Sequence, residues 1–246
     1  MRSGSSSQDS MSRASGGLVV ALISCLAAIS STNVWAADAG HPVVVELFQS
    51  QGCSSCPPAN ANVNVLSQRA DVLALSFAVT YWDSLGWKDT FAKAQFTDRQ
   101  WAYARALGHN NVFTPQVVVN GRLDGVGAEQ TEIETLIRRA DRTVAGPTVS
   151  IAGGLAEIGA VQPPAQDADV WLVRYDPRTI EVPVRRGENA GKTLPHKNIV
   201  REFVRLGGWR GQAERFKLPI AADPSLSTAI LVQMSGAGSI LAAAKE

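Results

Sequence analysis

Two thiols three residues apart, Cys53 and Cys56, constrain this chain more than any other feature, because of what flanks them. Val43-Val44-Val45-Glu46-Leu47-Phe48 follows Pro42 and is an apolar, β-rich run of strand length. Gln49 to Cys56 is polar and contains a glycine, so it reads as a loop. Pro57 and Pro58 then fall in a first helical turn, where a missing N–H costs nothing. Ala59 to Arg69 continues as a helix with Ala59, Val63 and Leu66 on one side. Asp71 ends it, and Val72 to Val79 is apolar almost throughout, as in a strand covered on both faces. The order is strand, helix, strand, with room for a parallel right-handed crossover.

A CxxC between a strand and a helix points to thiol chemistry. The two-residue spacing lets Cys53 and Cys56 close a small ring, and the unpaired N–H groups at a helix start stabilise a thiolate. Cys53 is expected to be the exposed nucleophile and Cys56 the buried resolving thiol. Two other readings stay open, a structural disulfide in an exported protein and a metal site. A zinc site wants a second pair of ligands, and c-type haem wants a histidine where Pro57 stands. Cu(I) suits soft thiolates, with His109 the histidine best placed to join Cys53 and Cys56.

Phe77 to Tyr103 holds eight of the sixteen aromatic residues. Tyr81 to Trp87, with Asp83, Lys88 and Asp89, forms an insertion after the second strand. It is expected either to wall the thiol site or to seal a second small core, and Asp83 is a candidate catalytic or metal-binding carboxylate. Thr97 to Leu107 predicts a helix with Thr97 as cap, Gln100 as its capping-box partner and Gly108 as its stop. Thr114-Pro115 precedes the apolar run Gln116 to Val119, and Asn120-Gly121 marks a hairpin. The returning strand ends at Val126, and Ala128 to Arg142 predicts a last helix. A cis Thr114–Pro115 bond would set that loop against the CxxC, but only about 5–6% of X–Pro bonds are cis and spacing alone does not select one.

After Gly146-Pro147 the pattern becomes short strands: 148–151, 169–174, 180–184, 197–206, 214–218 and 228–234. Their spacing suggests a small β-sandwich over residues 146–246, and Gly236 to Ala244 reads as a low-complexity tail of small residues. Arg185, Arg186, Lys192, Lys197, Arg201 and Arg205 read as a solvated or salt-bridged face, and Arg186-Gly187-Glu188-Asn189 as an ordered turn.

The N-terminus bears on compartment. A polar start with Arg2 and Arg13, an apolar stretch from Ala14 to Ile29, and Val34-Trp35-Ala36-Ala37 fit a signal peptide over residues 1–36. A retained anchor is the competing reading. Leu22-Ile23-Ser24-Cys25 resembles a lipobox, but Cys25 is read as part of the apolar stretch that is lost. Export to the periplasm or beyond follows either way, with membrane attachment only if this segment is kept or lipidated. Removing it takes away Arg2, Arg13, Asp9 and Cys25, which brings the formal charge from +1 to zero and leaves Cys53 and Cys56 as the only cysteines. A neutral chain argues against a dedicated nucleic-acid binder.

The element order resembles the thioredoxin fold. The motifs Ser50-Gln51-Gly52-Cys53-Ser54-Ser55-Cys56-Pro57-Pro58, Tyr81-Trp82-Asp83, Leu85-Gly86-Trp87-Lys88-Asp89, Phe113-Thr114-Pro115-Gln116, Val118-Val119-Asn120-Gly121 and Arg186-Gly187-Glu188-Asn189 resemble a family of uncharacterised exported bacterial proteins of thioredoxin-like type. The resemblance implies a cis-proline loop, Thr114 and Pro115, facing Cys53 and Cys56. It also implies a buried carboxylate assisting the resolving thiol, for which Glu46 is the nearest candidate, with a satisfied strand glutamate as the alternative. The expected architecture is an α/β thioredoxin-like domain over residues 41–145 and a small all-β domain over 146–246. The expected function is thiol–disulfide exchange with an unknown protein or small thiol and no cofactor. The alternatives are Cu(I) transfer and a binding module with a structural disulfide.

Overall fold

The computed structural model describes residues 38–140 and 146–246. The expected signal peptide, its cleavage site and Cys25 lie outside the described residues.

Strand β1 (Val43–Gln49) and strand β2 (Val72–Ala78) are parallel and joined through helix α1 (Cys56–Leu66). Helix α2 (Ala94–Ala106) follows, then β3 (Gln116–Val119), β4 (Leu123–Gly125) and helix α3 (Gln130–Arg139). β3 runs antiparallel to β1 and to β4. This is the thioredoxin-like α/β order. Residues alternate sides along β1: Val43, Val45 and Leu47 pack under α1 and α3, while Val44 and Phe48 face α2.

Nine further strands follow: β5 (Val149–Ala152), β6 (Leu155–Ile158), β7 (Ala168–Asp176), β8 (Ile180–Pro183), β9 (Thr193–His196), β10 (Ile199–Trp209), β11 (Glu214–Lys217), β12 (Ser227–Met234) and β13 (Ile240–Lys245). Four of them continue the first sheet, in the order β13-β12-β7-β10-β2-β1-β3-β4. The join is between β10 and β2: the Ser76 N–H donates to the Asn198 carbonyl (2.9 Å) and the Asn198 amide to the Ala74 carbonyl (2.8 Å). Gly146 therefore marks a change of architecture rather than a break in the sheet, and the described residues belong to one compact unit. β5, β6 and β11 form a small sheet that packs its Ile151, Ile158 and Phe216 against Leu172, Ile230 and Val232 of the large one, giving the expected sandwich-like layering. β8 and β9 form a separate hairpin.

Some elements depart from expectation. α2 starts three residues before Thr97, because Phe96 is needed in the core against Phe77 (5.3 Å between ring centroids). Thr97 is thus no cap; its hydroxyl accepts the Thr80 N–H (3.0 Å), and Gln100 donates to the Phe113 carbonyl (2.7 Å). The small-residue tail becomes β13, where Ala242 and Ala243 are buried on opposite faces beside β12. The Asn-Gly hairpin forms as expected, with Asn120 at φ 48° and Gly121 at φ 62°. No helix among the described residues is long and apolar enough to cross a membrane.

Candidate active site

Cys53 and Cys56 are joined in a disulfide at the first turn of α1. The helix brings its own reason to start there: Pro57 and Pro58 occupy the turn whose N–H groups need no helical partner. The Thr114–Pro115 bond is cis. Its loop faces the pair, with the Ser55 hydroxyl 3.4 Å from the Thr114 carbonyl oxygen and 3.3 Å from Cys53 Sγ. Trp82 fixes the same loop by donating from its indole N–H to Thr114 Oγ1 (2.7 Å). Cys53, Cys56, Thr114 and Pro115 therefore meet where β1 ends and β3 begins, two neighbouring interior strands of the sheet.

The expected exposure of Cys53 is corrected. Cys53 is fully buried (0% exposed) and Cys56 nearly so (2%), while Ser54 and Ser55 between them are exposed. The loop of the β8–β9 hairpin is bonded to the backbone of this segment. Asn189, itself fully buried, donates from its amide to the Gln51 carbonyl (3.0 Å) and the Cys53 carbonyl (2.8 Å). Glu188 accepts the Ser54 N–H (3.1 Å), and the Ser54 hydroxyl and N–H hold its carboxyl below the usual range. Behind the hairpin, Val182, Val184 and Leu194 pack on Trp87 and Phe91 of the insertion.

That insertion also grips the loop before Cys53. The buried Asp89 carboxylate accepts the Gln51 N–H (2.7 Å) and the Phe91 N–H (2.8 Å), and burial pushes its carboxyl above the usual range. The Trp87 indole donates to Gln51 Oε1 (2.9 Å). Asp83 accepts the Asp89 N–H (3.0 Å), so it braces a turn.

Glu46 is not brought to the sulfurs. It lies on the face of β1 opposite α1, fully buried, where Arg99 grips it through two 2.7 Å bonds and the Tyr103 hydroxyl donates at 2.8 Å. Of its two readings, the satisfied strand glutamate describes what is found. His109 is not at the sulfurs either; its Nε2 lies 2.9 Å from Asp124. Among the described residues, no group of three His, Cys, Asp or Glu side chains could hold a metal ion.

A family model described as a protein of unknown function, DUF1223, matches residues 44–233. The chain belongs to that family. The match runs from β1 into β12, so the DUF1223 unit includes the sheet extension and the hairpin bonded to the Cys53 segment as well as the CxxC half. A crystal structure of a protein from Agrobacterium tumefaciens is 34% identical, covers 82% of this chain and 92% of that one, and has a TM-score of 0.70. HBP35 of Porphyromonas gingivalis shares the fold at 14% identity, with a TM-score of 0.56 over 84% of this chain and 75% of that one. No curated protein matches.

Two features of the DUF1223 site were not assigned from sequence. In the sequence Asn189 reads only as part of an ordered turn, although its buried amide bonds two carbonyls 136 and 138 positions away. His196, 1% exposed, lies against Asn60 of α1 (3.3 Å), and burial pulls it down to about 4. Its signal was a lone histidine at the end of an alternating Thr-Leu-Pro-His run, which marks a buried face and nothing more.

Proposed function

We propose that this DUF1223 protein is an exported thiol–disulfide oxidoreductase working through Cys53 and Cys56 on a protein or small-molecule thiol. The observation that carries the reading is the disulfide at the first turn of α1, with Thr114 within reach of Ser55 between the two cysteines. A helix start offers free N–H groups and positive dipole to a departing thiolate.

In the oxidising direction a substrate thiolate attacks Cys53 Sγ. The Cys53–Cys56 bond breaks, Cys56 leaves as a thiolate, and a mixed disulfide joins the substrate to Cys53. A second substrate thiol attacks that bond, the substrate disulfide departs, and both cysteines end as thiols. The two electrons pass from substrate to protein. Because Cys53 is fully buried, the segment that carries it must open before attack, and that segment is held to the hairpin loop by Asn189.

The test is equilibration of the purified protein with dithiol–disulfide buffers, followed by alkylation of free thiols. Reversible two-electron titration, together with turnover of a model disulfide that Cys53→Ser abolishes, is expected. A pair that stays oxidised throughout and exchanges with nothing would mark a structural bond and overturn the proposal.

A further inference from the structure

Helix α1 rests on a polar floor at its first turn, although apolar residues line the rest of its contact with the sheet. Along β1 the face under α1 reads Val43, Val45, Leu47 and then Gln49; along β2 it reads Val72, Ala74 and then Ser76. Leu47 pairs with Ser76 and Gln49 with Ala78, so the two polar side chains are neighbours on that face at its C-terminal end. Both are 1% exposed. From above, Cys56 and Asn60 are one helical turn apart on the buried side of α1. From the flank comes His196, two residues before Asn198, whose carbonyl takes the Ser76 N–H.

Five atoms of this cluster are buried with no hydrogen-bond partner among the described residues: Gln49 Nε2 and Oε1, Asn60 Oδ1, Ser76 Oγ and His196 Nε2. The Asn60 amide N–H₂ donates to the Pro195 carbonyl (2.5 Å), so it faces His196 Nδ1 as a donor too. The neutral imidazole therefore carries its proton on Nε2. One floor thus holds unused donors and unused acceptors together. Buried polar atoms in native proteins find partners, and a polar recess with two to four such groups suits internal water.

We propose that Gln49, Asn60, Ser76 and His196, with internal water, form an uncharged seat that stabilises Cys56 as a thiolate and returns a proton to it when the disulfide opens. The inference rests on the redox reading above and deepens it. When a thiol R–SH has ionised and its thiolate attacks Cys53, the sulfur–sulfur bond electrons go to Cys56. Donors of the seat then face that charge where bulk water cannot. A proton reaches Cys56 along the chain of water and side chains, balancing the one R–SH released to solvent. The four side chains are positioning residues, and none changes its net charge. The other titratable groups around this turn, among the described residues, include Asp89 of the insertion and, on the hairpin, Glu188 and Lys192, whose Nζ donates to Asn189 Oδ1 (3.0 Å); these lie on the Gln51 to Ser54 side. Burial pulls His196 down to about 4, which keeps the seat uncharged near neutral pH.

The experiment leaves Cys56 as the sole cysteine, through Cys25→Ser and Cys53→Ser, and follows its thiolate absorbance against pH. Into that chain go Ser76→Ala, Gln49→Leu, and both. The expected result is that Cys56 ionises about one pH unit higher in the double variant. In the Cys25→Ser protein the same pair is expected to slow reduction by dithiothreitol by about twofold to fivefold, because only part of the charge has reached Cys56 in the transition state. The urea midpoint is expected to change little, since apolar side chains replace water-bonded polar ones in the same recess. A Cys56 titration unmoved in the double variant overturns the inference, whatever the exchange rates. A disulfide that no thiol reduces overturns the redox reading instead, and the sole-cysteine titration still reports on the seat.

Discussion

Glu188 accepts the backbone N–H of Ser54 across 134 positions of sequence, at 3.1 Å. With Asn189 it ties the hairpin loop onto the segment that carries both sulfurs. Asn189→Ala removes two hydrogen bonds to buried carbonyls and should raise the rate of disulfide reduction by about fivefold to thirtyfold. Glu188→Gln, at an exposed contact, should raise it by no more than about fivefold. Stopped-flow reduction by dithiothreitol checks both, and equal rates in all three proteins would mean the loop is no barrier.

His196 makes stability depend on pH. Burial lowers it from 6.5 to about 4, so the unfolded chain binds a proton more readily than the folded one between those values. Its contribution is fully present above pH 6.5 and is lost as pH falls toward 4. The loss approaches about 3 kcal/mol by linkage. Urea unfolding at pH 7 and pH 4.5 should show that slope, and His196→Gln should flatten it.

The Arg99–Glu46 pair is buried on both sides (4% and 0% of the side chains exposed). Arg99→Met strands the carboxylate and should cost about 3–5 kcal/mol. Adding Glu46→Leu should recover most of that, because an apolar pair of similar volume often replaces a buried ion pair at little cost. Disulfide reduction in the double variant should match the wild type. A loss of exchange that outlasts the recovered stability would give Glu46 the proton-transfer role its geometry argues against.

Gly121 has a φ of 62°, and a Cβ there would sit 2.4 Å from the Gly238 carbonyl oxygen. Gly121→Ala should therefore destabilise by about 1–3 kcal/mol through a left-handed backbone and a backbone clash, as thermal melting can measure.

Much of the site was legible because its signals are local. Cys53 and Cys56 are three residues apart, two prolines mark the helix start, and Asn120-Gly121 carries its turn in two letters. Six of the nine strands after residue 146, all but β6, β9 and β13, were legible as strands for the same reason. Their placement was not, because nothing in Ile199 or Ser76 alone says that β10 will lie beside β2. The polar floor was hidden similarly: Gln49 looks like the start of a polar loop and Ser76 like a lone polar residue inside an apolar strand, and their proximity exists only once the register is set. Glu46 misled because a carboxylate near a thiol in sequence can lie on the opposite face of a strand, one residue being enough to change sides.

The join between β2 and β10 also decides how this protein can be dissected. A chain ending near residue 140 keeps the CxxC and all three helices, yet it leaves β2 as a bare edge with apolar neighbours on both faces, a ready template for self-association. It also loses the hairpin bonded to the Cys53 segment. Swapping the CxxC half between relatives as a free-standing cassette is thus ruled out by architecture. Any exchange of the CxxC half between relatives therefore has to carry β7, β10, β12 and β13 with it.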